Sequence, residues 1–418
     1  MTASTAEAPG TGRTLFFVFV TVLISMVGFG IIMPIMPALM MEVTGKNLSA
    51  AASYGGFVYF IYALAQFLMS PVLGGLSDRY GRRPVLLISL VFYAFDFVLM
   101  ALAPSFAWLV IARALSGATA ATYSTANAVI ADVSPPEKRA ANFGLMGAAF
   151  GIGFIIGPVL GGFTAEWGIR IPFLVAAGLG AANAVFGYFF FPETLKDKRE
   201  FSWKRANPIG TLISVSRYGM VLIVLISFFL IQFAYNTLPS VFSYFAKAKY
   251  DWSEFNISLA LAYVGITAAI VQAGLIRRII PAIGELRAVI LGASCMVTSM
   301  VGYAFFAPTG AQVYLWITVG ALGGLIMPGM QAIMSAAVPA DSQGELQGAV
   351  ASVMSLTMMT SPLIMTQIFS TYTDDVGIVF AGAPLVLASL CMTAGMIPFI
   401  IIARRQPASG HSSPGASA

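Results

Sequence analysis

Asp96 and Arg113 are the residues with the clearest chemical potential, because each places a charge inside a long apolar run. Such a charge is costly in a bilayer and normally has a polar partner. The two lie eight residues on either side of the Pro104-Ser105 turn, at matching depth in an antiparallel hairpin, about 12 Å from the turn. We expect them to pair or share a polar network. In the alternative, Arg113 bonds to carbonyls of the first apolar run and Asp96 is a local structural acid.

A second charge cluster, GGLSDRYGRRP at 74–84, sits between two apolar runs and is predicted to be a short loop at the membrane face. It is either a basic anchor or a gate between helices. As a gate, Asp78 caps the helix beginning near Gly344, and Arg82 or Arg83 meets an acid elsewhere, with Asp132, Glu137 and Glu345 as candidates. The predicted gate comprises Gly75, Asp78, Arg79, Gly81, Arg82, Arg83, Asp132 and Glu345.

Amide and phenol side chains deep in apolar runs suit an amphipathic or aromatic ligand in an otherwise apolar cavity. Each is equally suited to an interhelical hydrogen bond. The candidate substrate contacts are Tyr62, Gln66, Tyr123, Asn127, Gln232, Asn236, Gln272 and Gln331.

Composition excludes several other classes of protein. The 418 residues are 58% hydrophobic and 9% charged, far below the roughly one quarter charged of a soluble domain, so the chain is a polytopic membrane protein. The single histidine, His411, lies in a polar tail, which argues against histidine catalysis and a metal site. No phosphate-binding GxxxxGK[ST] loop and no nucleophile set is present, so we expect neither an enzyme nor a cofactor, and no nucleic-acid partner.

The elements that must position these residues are apolar runs of about 20 residues, each long enough to cross a bilayer. Twelve spans are predicted, at 15–40, 52–73, 85–103, 107–131, 141–163, 172–192, 219–245, 255–276, 287–307, 312–336, 346–370 and 378–402. Both termini are predicted to be cytoplasmic, because 17 of the 22 Lys and Arg residues then lie inside and four outside.

The chain divides nearly in half at a polar segment. The predicted units are a six-helix bundle at 1–192, a cytoplasmic linker at 193–217, a second six-helix bundle at 218–403 and a disordered tail at 404–418. A shift of 204 residues places Gly144 on Gly348 and Pro158 on Pro362. Weak symmetry between two six-span halves is typical of a transporter with a central site.

Span five is rich in glycine, which lets helices approach closely. Gly153, Gly157 and Pro158 are also predicted to bend the helix, since proline removes a backbone donor. Plain helix packing is the alternative.

These motifs together resemble the major facilitator superfamily over nearly the whole chain. The resemblance rests on five motifs: GGLSDRYGRRP, GFGIIMPIMP in span one, LVIARALSGATAA in span four, GLMGAAFGIGFIIGPVLGG in span five and PET after span six. GGLIMPGMQAIMS and GELQG are similar to the tetracycline-efflux group of drug/proton antiporters. The resemblance implies an all-α fold of twelve helices in two bundles, with Arg113 in the proton-relay motif and Asp96 as the proton carrier.

The chain departs from that group at three positions. Ser25 and Met296 stand where the group has acids, and Ala268 stands where it has a histidine. The expected function is export of hydrophobic or amphipathic small molecules by alternating access, in exchange for protons, by a monomer in the bacterial inner membrane. The alternatives are a uniporter or symporter of a metabolite, or an exporter without proton coupling.

Overall fold

The computed structural model describes residues 11–198, 219–336, 338–339, 343–374 and 379–405. Most of the predicted linker, at 199–217, and most of the predicted tail, at 406–418, lie outside these ranges. Within them, eleven helical segments are long and apolar enough to cross a membrane. The predicted all-α membrane architecture is therefore confirmed.

The first half contains spans one to six, with short connections on both sides. Their helices are Thr11–Thr44, Leu48–Tyr80, Arg82–Ala101, Phe106–Thr119 with Thr122–Val133, Pro136–Ala165 and Ile171–Phe190. The second half repeats this order in spans seven to twelve. Its helices are Gly219–Tyr235 with Thr237–Tyr250, Glu254–Ile270 with Ile276–Ile283, Glu285–Phe305, Gly310–Ala321 with Ile326–Ala336, Gln343–Thr371 and Ala383–Arg405.

Span four differs from the continuous helix predicted at 107–131, because it is broken at Ala120 and Ala121. Just before the break, the Thr119 hydroxyl donates to the carbonyls of Leu115 and Ser116 at 2.9 and 3.2 Å. A threonine that bonds back to its own helix bends the backbone and weakens the next turn. The repeat carries a similar irregularity, a 3₁₀ turn at Leu322–Leu325 in span ten.

The prediction of a loop at 74–84 was wrong, because most of this segment is helical. Gly75, Asp78 and Arg79 belong to the helix of span two, which runs to Tyr80, and the helix of span three begins at Arg82. Gly81 alone separates the two helices, and its φ of 115° is in the region that favours glycine. We call the side of the membrane that carries this turn the signature side.

The two halves meet at the opposite side of the membrane. Ser49 donates to the carbonyl of Ser370 at 2.7 Å, and Ser53 donates to Gln367 at 3.1 Å, which joins the beginning of span two to the end of span eleven. Ser243 of span seven donates to the carbonyl of Met33 in span one at 2.7 Å. Hydroxyl groups and carbonyls, without an ion pair, make these contacts.

Candidate functional site

Asp96 and Arg113 form an ion pair between spans three and four. Both are buried, with 2% of Asp96 and 6% of Arg113 exposed. The pairing predicted from their matching depth is therefore confirmed. Asp96 Oδ1 and Arg113 Nε have no hydrogen-bond partner among the described residues, so the pair leaves polar capacity unused inside the first half.

Aromatic rings surround the Arg113 guanidinium, which lies 5.5 Å from the ring centre of Tyr62 and 5.9 Å from that of Phe97. A cation near the face of a ring is attracted to it, most strongly away from water. The span-one carbonyl at Ile24 accepts a bond from the Tyr93 hydroxyl at 2.9 Å. Among the described residues, Arg113 pairs with Asp96 and makes no hydrogen bond to a span-one carbonyl, so that alternative is not the arrangement found.

Gly117, one turn beyond Arg113, sets the distance between spans four and two. A Cβ at this position would collide with the backbone carbonyl oxygen of Tyr62 and lie 3.1 Å from the backbone nitrogen of Gln66. The two backbones can be this close only because Gly117 has no side chain. The side chain of Gln66 is thus held on the same stretch of span two that contacts Arg113.

The predicted substrate residues fall into two groups. Asn236 is engaged within the protein, since its amide donates to the Gln232 carbonyl at 2.9 Å and to Thr357 at 3.5 Å. The Tyr123 ring packs edge-on against Phe150, 5.2 Å between centres. In the described residues, no side-chain hydrogen bond joins the remaining amides to the protein: Gln66, Asn127, Gln232, Gln272 and Gln331. Ligand contact by these amides stays a prediction.

Gln272 has an unusual backbone, which the sequence reading did not foresee. It lies in the π-helical segment Val271–Leu275 of span eight. The 3₁₀ turn of span ten packs against this segment, because a Cβ at Gly324 would lie 3.3 Å from Val271 Cγ1. Single π turns occur often at functional sites.

A second charged group, the signature cluster, consists of Asp78, Arg82, Asp132 and Glu193. Arg82 donates to Asp78 at 2.6 Å and to Asp132 at 3.0 Å. The Arg82 side chain is 10% exposed and that of Asp132 23%, whereas that of Asp78 is 41% exposed, so the contact with Asp132 is the better shielded from water. The predicted pairing of Arg82 with Asp132 is confirmed, and it joins the ends of spans two, three and four.

Glu193 is the member of the cluster that sequence reasoning missed. Its carboxylate accepts bonds from the backbone N–H groups of Arg82 and Arg83 at 2.9 and 3.1 Å, the first free donors of span three. Gly81 leaves the space for this contact, because a Cβ there would collide with Glu193 Oε2. The available signal was the acid of the PET motif, directly after span six.

The other residues of the predicted gate make contacts different from those predicted. Among the described residues, Asp78 bonds to Arg82 and makes no cap on the helix that begins at Gln343. Arg83 donates to the carbonyl of Tyr188 at 2.6 Å rather than to Glu137 or Glu345. Arg79 is exposed and lies 5.3 Å from the ring centre of Tyr80. The described cluster therefore lies within the first half.

The glycines of span five pack against span one. A Cβ at Gly153 would lie 2.5 Å from Met26 Cβ, and one at Gly157 would lie 2.8 Å from the Cα of Gly30. The helix continues through Pro158 as far as Ala165. Close packing is what these contacts establish, and a bending role for Gly153, Gly157 and Pro158 stays a prediction.

Two pseudo-symmetric helical halves, each of six spans, with a buried ion pair in one of them, define a multi-pass membrane transporter rather than an enzyme. The sequence profile of the Major Facilitator Superfamily matches residues 18–362. The chain belongs to that superfamily.

Similar proteins agree with this assignment. The chain is 37% identical over 363 residues to the tetracycline resistance protein, class C, of Escherichia coli, covering 86% of this chain and 90% of the relative. It is 28% identical over 295 residues to multidrug resistance protein 2 of Bacillus subtilis (strain 168), covering 69% and 72%.

Two solved structures share the fold. The nucleoside transporter NupG superposes with a TM-score of 0.76 at 12% identity, covering 96% of this chain and all of NupG. The human organic anion transporter MFSD10 (TETRAN) superposes with a TM-score of 0.69 at 21% identity, covering 94% of this chain and all of MFSD10.

Proposed function

We propose that this protein exports tetracycline-like, hydrophobic or amphipathic small molecules in exchange for protons. The similarity to tetracycline resistance proteins supports the substrate class. The observation that carries proton exchange is the Asp96–Arg113 pair. Asp96 is the only carboxylate among the buried charged residues that the structure describes. Its charge is balanced by one cation, so protonation of Asp96 and release of Arg113 are the same event.

Substrate binding is linked to this event through span two. Tyr62 contacts the Arg113 guanidinium, and Gln66 lies one turn further along the same helix face. A ligand that bonds to Gln66 and packs on Tyr62 competes with Arg113 for the ring. The cation then shifts relative to Asp96, and the affinity of Asp96 for a proton changes. Antiport requires that substrate and proton act on this one contact set in opposite directions.

Alternating access would proceed by rocking of the halves. The contacts of Ser49 and Ser53 with span eleven hold the side opposite the signature cluster shut. When that side opens, Asp78 exchanges Arg82 for backbone N–H groups at the start of span eleven, near residues 344–347. The signature cluster acts as the gate of the second state. We place both termini in the cytoplasm, so that this state would face the inside of a bacterial inner membrane, and a monomer would suffice for transport.

The test is transport by the purified protein in proteoliposomes under an imposed pH gradient. The substrates are a tetracycline, a lipophilic cation and a neutral amphiphile. We expect tetracycline flux to follow the gradient in the wild type and Asp96→Glu, and to lose that dependence in Asp96→Asn. Ser299→Ala is the control, because a shift of 203 residues places Ser299 of the second half on Asp96. Gradient-dependent flux in Asp96→Asn would remove Asp96 from the mechanism.

An exporter without proton coupling is the second candidate, and three side chains favour it. Ser25 bonds to the carbonyl of Thr21 at 2.9 Å, and Met296 is buried against span ten. Neither residue can titrate at physiological pH, and the same is true of Ala268. Flux that is insensitive to the pH gradient in the wild type itself would establish this alternative.

A further inference from the structure

An apolar groove runs along the lipid-facing surface between spans three and six. It has a volume of about 250 Å³ and is lined by Leu87, Val91, Ala184, Val185, Tyr188 and Phe189. Val185 and Phe189 are 58% and 71% exposed, so the groove is open to the bilayer along its length. The hydrocarbon region of a bilayer offers such an apolar groove one abundant occupant, an acyl chain.

Arg83 closes the polar end of this groove. It precedes Leu87 and Val91 by one and two helical turns, so the three side chains share one stripe of span three. The Arg83 guanidinium donates to the Tyr188 carbonyl at 2.6 Å and lies 6.0 Å from the centre of the Tyr188 ring, which also lines the groove. Cation and groove are therefore one continuous surface.

The guanidinium has donors to spare. The Nη2 nitrogen bonds to Tyr188, whereas Nη1 is not buried and has no hydrogen-bond partner among the described residues. Guanidinium groups bind phosphate through two parallel hydrogen bonds. The distance along the helix from Arg83 to Val91 is about 12 Å, which fits within one leaflet of a bilayer core about 30 Å thick.

We propose that this surface is a binding site for one anionic glycerophospholipid of the leaflet on the signature side. The phosphate would bind Arg83 and one acyl chain would fill the groove. Because the backbone N–H of Arg83 is bound by Glu193, the lipid would also brace the signature cluster from outside. The proposal does not depend on what the protein transports.

Native mass spectrometry of the full-length protein in detergent tests the site. Phosphatidylglycerol and phosphatidylcholine with identical acyl chains are titrated separately. We expect the wild type to retain phosphatidylglycerol about tenfold better, because the cationic choline group of phosphatidylcholine offsets the attraction between its phosphate and Arg83. Arg83→Gln should abolish this preference, and Val185→Trp, which fills the groove, should reduce retention of both lipids. Arg83→Lys, which keeps the charge without the planar fork, should retain part of the preference.

Two control variants are matched to these changes. Arg287→Gln removes an exposed cation near the beginning of span nine, and Leu174→Trp adds the same ring to an exposed site elsewhere on span six. Both should bind lipid as the wild type does. Unchanged preference in folded Arg83→Gln, or unchanged retention in folded Val185→Trp, would overturn the proposal, and size-exclusion profiles establish that each variant is folded.

Discussion

The two halves of the molecule share the order of their helices and turns but differ in where charged side chains are buried. Gly81 and Gly284 end spans two and eight with the same kind of turn, at φ values of 115° and 81°. The shift of 203 residues between these glycines places Ser299 on Asp96 and Trp316 on Arg113. In the second half, the Ser299 hydroxyl donates to the Trp316 carbonyl at 2.7 Å. A neutral hydrogen bond thus occupies the place of the buried ion pair.

The signature cluster shows the same difference. By the same shift, Pro281 stands in the place of Asp78 and Glu285 in that of Arg82. The shift of 204 residues that aligns Gly144 with Gly348 places Ala336 on Asp132. All three charged side chains that are buried in the described residues, Arg82, Asp96 and Arg113, lie in the first half. The backbone features that the halves share therefore do not need the charges, and the presence of the charges in one half indicates a task beyond folding. We infer that the first half carries coupling and gating.

The sharpest test of this comparison is to break the ion pair. Arg113→Gln leaves the Asp96 carboxylate buried and unpaired, and should lower the free energy of unfolding by about 3–5 kcal/mol. Trp316→Phe at the matching position keeps the bond to Ser299, which involves only the backbone carbonyl, and should cost much less. Thermal unfolding in detergent measures both. Asp96→Asn/Arg113→Gln should recover part of the loss, and a fully additive double variant would show that the pair does not act as a unit.

The capping glycines allow the next test. Gly81→Ala and Gly284→Ala both force a positive φ with an extended ψ on a residue with a Cβ, which costs about 1–3 kcal/mol. Only Gly81→Ala also displaces the Glu193 carboxylate, whereas a Cβ at Gly284 has open space. We expect Gly81→Ala to lower the melting temperature more. Equal shifts would mean that the contact between Gly81 and Glu193 contributes nothing.

Removal of Glu193 is expected to have a smaller effect. Glu193→Ala leaves the first N–H groups of span three without their acceptor and should cost about 1–2 kcal/mol, as loss of a helix cap does. Glu285→Ala is the control, because Glu285 is an exposed first-turn acid of span nine and affects only the helix dipole. The difference in melting temperature between the two variants measures the cap. A Glu285→Ala effect as large as that of Glu193→Ala would contradict the asymmetry.

The smallest effects are expected where the halves are alike. Arg139 donates to the carbonyl of Ala131 at 3.3 Å, and Gln343, 204 residues later, donates to that of Ser335 at 2.8 Å. Arg139→Ala and Gln343→Ala should each cost about 0.5–1 kcal/mol and leave transport near the wild-type rate. Thermal unfolding and tetracycline flux check this. A large loss in only one of them would reveal a further functional difference.

The sequence by itself determined the features that depend on local composition and depth. Apolar runs of bilayer length fixed the spans, and the position of Asp96 and Arg113 around one turn fixed their common depth. Their low solvation then required a partner. Because each argument involves one hairpin, no knowledge of distant contacts was needed.

Only the tertiary structure decided which distant groups meet. The carboxylate of Glu193 lies 111 residues from the N–H group it binds in span three, and the bond of Ser49 to Ser370 crosses 321 residues. These contacts depend on how each helix is rotated about its axis, which an almost uniformly apolar surface does not encode. The break at Ala120 and the groove beside Arg83 have the same origin, because packing between helices sets both.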